Sequence, residues 1–375
     1  MPIISEIWHD ANLFLKRIDS NIFEENSQEN DIEDTNSTNC SAITNFKAGF
    51  LDKHGNIEKI ILDIEIESYL ESNVDLVGLQ VWRGALLLAD YIIMHQDSFK
   101  NKNILELAAG TGLTSIVAVL INIKAMKNGN GSLTCTDINR GPILPLIEGN
   151  FQRNSIPLKD TWNMNDKSFK VKVAEIDFFK KETYCDATKN HQSNDNNGIN
   201  FQNEEDSLYN KEYKLNKDNL RNIDVIFAAD VVYDENITHG FFTTLNELSS
   251  QALLQTNQDH DLHKVPKHLE IYLSIEKRCR VTALTGEKLN EKDCYELEKD
   301  SLTDDNKSSE ILAPNFDVFI KKLKAFIYAH NNDKFSCKIE EIPLSTIDQY
   351  FWNYERVEEL VLFKLILRCR NVDEN

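Results

Sequence analysis

No apolar run in this chain of 375 residues approaches the roughly 20 needed to cross a bilayer, so no membrane span is expected. The opening stretch Met1–Asp10 carries acidic residues and lacks an apolar core, which argues against a secretion signal. The seven cysteines (Cys40, Cys135, Cys185, Cys279, Cys294, Cys337 and Cys369) are odd in number and never in C-x-x-C spacing. That pattern fits reduced thiols in an intracellular protein, nuclear or cytoplasmic, and offers no zinc site. Basic residues are short too: 41 Lys and Arg stand against 61 Asp and Glu, a formal net charge of −20. A phosphate backbone would repel such a chain, so direct nucleic-acid binding is not expected. A basic protein surface suits it better, met with the help of electrostatic steering. Acidic loops that only keep the chain soluble would give the same composition.

What is present is a core and an order. Hydrophobic residues make up 41% of the chain, enough for one large domain or two ordinary ones. Phe46–Leu51 and Ile57–Ile66 flank Asp52-Lys53-His54-Gly55-Asn56, the pattern of a β-hairpin. Val81–Met94 has apolar residues at helical spacing, and Ile104–Ala108 is a short apolar strand leading into Gly110-Thr111-Gly112. Helices are expected at Leu113–Ala125, Pro142–Asn154, Phe241–Leu254 and Phe316–His330. Strands are expected at Ser132–Thr136, Val171–Ile176, Asp224–Ala229, Leu269–Ile275, Cys337–Ile342 and Leu360–Leu367. Such alternation predicts an α/β fold, a mostly parallel sheet with helices on both faces. Residues 1–45 read as an N-terminal segment, disordered over about 21–41, because that polar stretch buries too little apolar area to offset its ordering entropy. The hairpin extension then covers 46–80 and the main domain 81–371, with polar surface insertions near 186–222, 255–263 and 290–309.

In a doubly covered parallel sheet, ligands bind outside the carboxyl ends of the strands, and four strands here end in an acid or a glycine turn. The Gly110-Thr111-Gly112 turn lets a ligand approach the backbone without a Cβ in the way, although such turns also serve tight packing. Ser115 stands where a dinucleotide fingerprint needs its third glycine, which disfavours a pyrophosphate ligand and a nicotinamide dehydrogenase. Asp137 can accept from both hydroxyls of a ribose; a helix cap or turn carboxylate would look the same. Asp177-Phe178 can pair an acceptor for an adenine amino group with a ring over the base, or be a surface acid beside a core phenylalanine. Asp230, with Tyr233 three residues on, follows the fourth strand, and a plain turn aspartate is the alternative. Each signal is ambiguous, and their order is what points to one nucleoside pocket.

These residues resemble the seven-strand methyltransferases, and more narrowly methyltransferase family 16, a group of protein-lysine methyltransferases. The resemblance rests on Val81-Trp82-Arg83-Gly84-Ala85, Glu106–Gly112 and Asp230–Tyr233, and within the group one branch is similar in Gln80–Ile92, Phe227–Thr238 and Leu273–Arg278. It covers roughly Gly78–Arg368 apart from the insertions. It implies a Rossmann-like, seven-stranded sheet and S-adenosyl-L-methionine as cofactor. Trp82, Glu106, Gly110, Thr111, Gly112, Asp137, Asp177, Phe178 and Ala229 would then bind the cofactor, with Asp230 and Tyr233 catalytic. Ala108 departs from a frequent glycine and Phe178 from the usual tryptophan. Trp82 could also anchor a helix in the core, and the role of Arg83 stays open. Methyl transfer to lysine needs in-line approach and a neutral amine. A nearby carboxylate would raise the amine's pKa, so Asp230 is expected to orient rather than activate.

The expectation is therefore a monomeric, metal-free methyltransferase acting by direct displacement on a lysine of a partner protein. Another acceptor (histidine, a protein N-terminus or a small molecule) and a non-catalytic cofactor-binding scaffold remain alternatives.

Overall fold

Side-chain alternation along the strands decides how the layers stack. In the strand Asn103–Leu107, Ile104 and Glu106 face one way and Leu105 and Leu107 the other, and all four are buried. A computed structural model describes residues 3–4, 41–52, 54, 57–125, 131–159, 169–185, 213–215, 220, 223–254, 268–277 and 314–370. The stretches 255–263 and 290–309, Arg278, and most of 1–45 and 186–222 lie outside these residues.

In chain order the strands are β1 (Ile3–Ile4), β2 (Ser41–Leu51), β3 (Ile57–Tyr69), β4 (Glu71–Ser72), β5 (Asn103–Leu107), β6 (Ser132–Asp137), β7 (Lys170–Glu175), β8 (Val225–Ala229), β9 (His268–Glu276), β10 (Phe335–Ile342) and β11 (Leu360–Cys369). The helices are α1 (Arg83–Met94), α2 (Leu113–Ala125), α3 (Ile143–Arg153), α4 (Glu235–Leu254) and α5 (Pro314–Ala329). Seven strands form one sheet in the order β10-β11-β9-β8-β5-β6-β7. Neighbours from β9 through β7 are parallel, and β11 runs antiparallel to both β9 and β10. The expected α/β sheet is thus present, with α1, α2 and α3 packed on one face and α4 and α5 on the other. The chain leaves β5 to one side and returns through β8 on the other. That reversal opens a crevice at the carboxyl ends of β5 and β8.

The hairpin is longer than its apolar pattern predicts. β2 starts at Ser41, whose hydroxyl donates to Glu67 at 3.0 Å, and the pairing runs Ser41↔Tyr69. Residues 62, 64, 66 and 68 of β3 turn inward and are buried, so the hairpin is packed onto the domain rather than appended to it. Tyr213, expected in a surface insertion, is buried as well; its carbonyl accepts from Glu175 N–H at 2.7 Å at the end of β7. Helix α4 begins at Glu235, six residues before the apolar pattern. Asp234 caps it, accepting from the N–H groups of Asn236 and Ile237 at 2.8 and 3.0 Å.

Asp90 on α1 gathers the connection between β10 and β11. Its buried carboxylate accepts from the N–H groups of Tyr350 and Phe351, both at 2.9 Å, from the Tyr354 hydroxyl at 2.7 Å and from Arg356 at 2.6 Å. Burial pushes this carboxyl up to about 6, against the pull of Tyr354 and Arg356.

Candidate functional site

The loop after β5 reverses through left-handed backbone: Ala108, Gly110 and Gly112 have φ of 51°, 59° and 78°. Gly110 is required for space as well, since a Cβ there would stand 2.9 Å from the carbonyl oxygen of Gly78. The turn is held from below. Ala109 N–H donates to Thr136 O at 2.9 Å, and Gly110 N–H donates to Asp137 Oδ2 at 2.7 Å. A helical turn over 74–79 covers it, fixed in place by the Trp82 indole N–H, which donates to Val77 O at 2.9 Å.

Asp137 ends β6, 7% exposed. Its second oxygen accepts from Ile138 N–H at 2.7 Å. Burial raises its carboxyl to about 6, while the two backbone donors pull the other way. Together with Asp177, Phe178 and Tyr233 it lines a cavity of about 360 Å³. Asp177 accepts from Phe179 N–H at 2.9 Å and faces Lys180 at 3.3 Å. Phe178 meets Phe241 edge-to-face at 5.7 Å, so it is both a cavity wall and part of the core, and the two readings of its pattern are not exclusive. Tyr233, 36% exposed, stands on the same cavity. Burial, and then the charge of Asp137, hold its phenol above the ordinary range, which keeps the hydroxyl neutral.

Four carboxylates (Asp75, Asp137, Asp177 and Asp234) and one guanidinium, Arg140, line this space. Arg140 is paired with Asp75 at 3.3 Å. The field inside therefore favours a cation. Asp75, Ile138, Arg140 and Asp234 escaped the sequence reading. Asp234 carried a legible signal, an aspartate just ahead of a helix; the others are placed by contacts distant in sequence.

Other expected site residues sit elsewhere. Glu106 is 1% exposed and bonded to the Ser115 hydroxyl on α2. Its side chain shares the face of Ile104, beneath the turn, because β5 alternates. Burial raises its carboxyl to about 7. Ala229 is partly buried against the core. The Asp230 carboxylate is taken up by backbone: Oδ2 accepts from Gly84 N–H at 2.7 Å and Oδ1 from Glu276 N–H at 2.8 Å. Asp230 itself is left-handed, with φ 51°. A Cβ on Gly84 would fall 2.6 Å from that carboxylate, so glycine there is what permits the clasp. Beside it Arg83 meets Glu276 at 3.4 Å in a buried ion pair. Arg83, whose role the sequence left open, is therefore a buried partner rather than a surface one. Among the described residues, no three His, Cys, Asp or Glu side chains are grouped to hold a metal. Among the same residues, no helix is long and apolar enough to cross a membrane.

A family model described as "Lysine methyltransferase" matches residues 62–184. Methyltransferase-like protein 22 of Homo sapiens is 31% identical over 219 residues, 58% of this chain and 43% of that protein. Its Mus musculus counterpart is also 31% identical over 219 residues, 58% of this chain and 44% of its own length. The chain thus spans less than half the length of the relatives it matches. The matched residues include Trp82 and Glu106–Gly112, which carried the resemblance, and the chain is similar to methyltransferase-like protein 22. Among solved structures, the O-methyltransferase TomG of Streptomyces achromogenes, in complex with SAM, gives a TM-score of 0.33 at 10% identity over 78% of this chain and 83% of its own. Aeropyrum pernix fibrillarin, with natively bound S-adenosyl-L-methionine, gives 0.30 at 8% identity over 87% and 99%. Likeness at that level says nothing about chemistry.

Proposed function

We infer that this chain, which is similar to the lysine methyltransferase family across residues 62–184, is an S-adenosylmethionine-dependent protein-lysine N-methyltransferase. One observation carries the reading: Asp137 and the Asp177-Phe178 pair, from neighbouring strand ends, line the same cavity as Tyr233. The residues fit a nucleoside. Each Asp137 oxygen accepts one backbone N–H and keeps a further lone pair for a ribose hydroxyl. Asp177 offers an acceptor for an exocyclic amine, between the apolar walls of Ala108, Ile138 and Phe178. The bound cofactor supplies an electrophilic methyl group on a sulfonium.

The chain's own groups then have separable tasks. The glycine turn admits the ligand to the backbone. The net acidic field of the cavity favours cationic groups, the amine of a lysine among them. That field also raises the amine's pKa, so it collects and orients the group, and the ammonium proton must pass to solvent water before the neutral amine, favoured by desolvation in the cavity, attacks. Tyr233, neutral, supplies a hydrogen-bonding hydroxyl and not a base. Asp230 acts through position: it ties the Trp82-Arg83-Gly84 segment to the ends of β8 and β9. The partner is a protein with a basic surface around its lysine, the match to a net charge of −20.

The test is incubation of the protein with isotopically labelled S-adenosylmethionine and a cell lysate, followed by mass spectrometry of the labelled residue. Methylated lysine is the expected result. Label on histidine or an N-terminal amine, or binding of the cofactor with no transfer to protein, would overturn the lysine assignment.

A further inference from the structure

Asn150 on helix α3 and Asn154, which caps the C-terminus of that helix one turn on, both treat the outer edge of β3 as a strand would. Asn154 accepts from Glu65 N–H at 3.1 Å and donates to Glu65 O at 2.8 Å. Asn150 does the same two residues on, accepting from Glu67 N–H at 2.7 Å and donating to Glu67 O at 3.0 Å. The spacings agree because one helical turn rises about 5.4 Å, near the two-residue repeat of a strand, about 6.8 Å. An amide side chain is a flat copy of a peptide group, with acceptor and donor side by side, so each asparagine closes one ring on the strand.

Here the two residues part. The second N–H of Asn154 donates to Asn150 O on its own helix at 2.8 Å. The second N–H of Asn150 reaches the other way, to Thr111 O at 3.0 Å, the middle residue of the Gly110–Gly112 turn. Asn150 is fully buried and Thr111 nearly so. One rigid amide therefore spans the hairpin and the turn, with its acceptor and both donors engaged.

We propose that Asn150 is a positioning residue for the cofactor turn, and that the β2–β3 hairpin acts through it as a prop for cofactor binding. The turn needs such a prop. Ala108 is left-handed without being a glycine, a cost that surrounding contacts must offset, and Gly110 N–H is held from the Asp137 side. If the Asn150 amide leaves Thr111, the turn loses its hold on the α3 side. The inference rests on the reading of this turn as the cofactor's seat, and the experiment separates the two.

Binding of S-adenosylhomocysteine is measured by calorimetry for the parent, Asn150→Ala and Asn154→Ala, each first checked for a cooperative thermal transition. Both variants lose one ring on β3, and only the first loses the bond to the turn. Asn150→Ala should bind about tenfold more weakly or worse, with Asn154→Ala within about twofold of the parent. Equal affinity of the two variants would make Asn150 a hairpin fastener only and overturn the proposal. Should Asn150→Ala not fold, residue-resolved hydrogen exchange on the parent decides. Adding S-adenosylhomocysteine should slow exchange of the Glu67 amide and leave the Glu65 amide unchanged; an equal response at both, or none, rejects the link. A parent that binds no S-adenosylhomocysteine refutes the methyltransferase reading itself.

Discussion

Asp137 and Asp230 end the two strands that flank β5, and each carboxylate accepts two backbone N–H groups at 2.7 to 2.8 Å. Their surroundings differ. The donors to Asp137 come from its own neighbour Ile138 and from the glycine turn, and the carboxylate still borders the cavity. The donors to Asp230 come from the start of α1 and the end of β9, and its side chain is not part of the cavity wall. The same sequence signal, an acid at a strand end, thus marks a ligand contact in one place and a clasp in the other. Which it becomes is decided by what other elements bring against it.

The comparison can be broken most forcefully at the clasp. Arg83→Ala would leave Glu276 buried without its guanidinium, a loss of about 3–5 kcal/mol, read as a drop in the urea midpoint. Asp230→Ala orphans the N–H groups of Gly84 and Glu276, at about 1–3 kcal/mol each. Denaturation should show roughly 3 kcal/mol lost, and methyl transfer should collapse while the folded protein still binds S-adenosylhomocysteine within a few-fold. Asp137→Ala should reverse that pattern. It gives up charge-assisted hydrogen bonds of about 1.5–3 kcal/mol, and calorimetry should show cofactor affinity reduced roughly 10- to 100-fold. Affinity unchanged in Asp137→Ala would erase the distinction between the two acids.

Acid offers a gentler probe. Asp137 has its folded carboxyl raised to about 6, so protonation between pH 7.5 and 5.5 removes acceptors and should weaken cofactor binding in the parent, with a flatter profile in Asp137→Asn. The stability contribution has the opposite sign. A carboxyl with a raised folded pKa binds its proton more tightly when folded, so its contribution grows as pH falls through 6 toward the unfolded value. The smallest effect is at Ala108, a left-handed alanine at φ 51°. Ala108→Gly should stabilise the protein by about 1 kcal/mol in the same denaturation assay.

The frame of the molecule was legible because its signals are local. Apolar runs of five or six residues, each closed by an acid or a glycine, marked β5 through β8 nearly to the residue. The cavity acids Asp137 and Asp177 follow from that pattern. What stayed hidden depends on partners far along the chain. Gly84 meets Asp230 from 146 positions away, and nothing near either residue announces the other. Asn150 sits mid-helix, where asparagine is mildly unfavourable and looks like surface filler until β3 is folded against it. Glu106 read as a motif residue, and only the pleat of β5 shows that it faces beneath the turn.

The hairpin's long sides have a bearing on how another molecule can meet this protein. Asn353 and the Tyr350 carbonyl occupy main-chain groups of β2 at residues 45, 47 and 49, as Asn150 and Asn154 do on β3. An open strand edge recruits foreign strands and seeds aggregates; here residues 45, 47 and 49 on one margin and Glu65 and Glu67 on the other are taken up by amide and carbonyl groups from within. A visitor to this arm finds Phe50, Leu51, Ile57 and Ile60, apolar side chains exposed near its tip, beyond the rungs that these groups occupy.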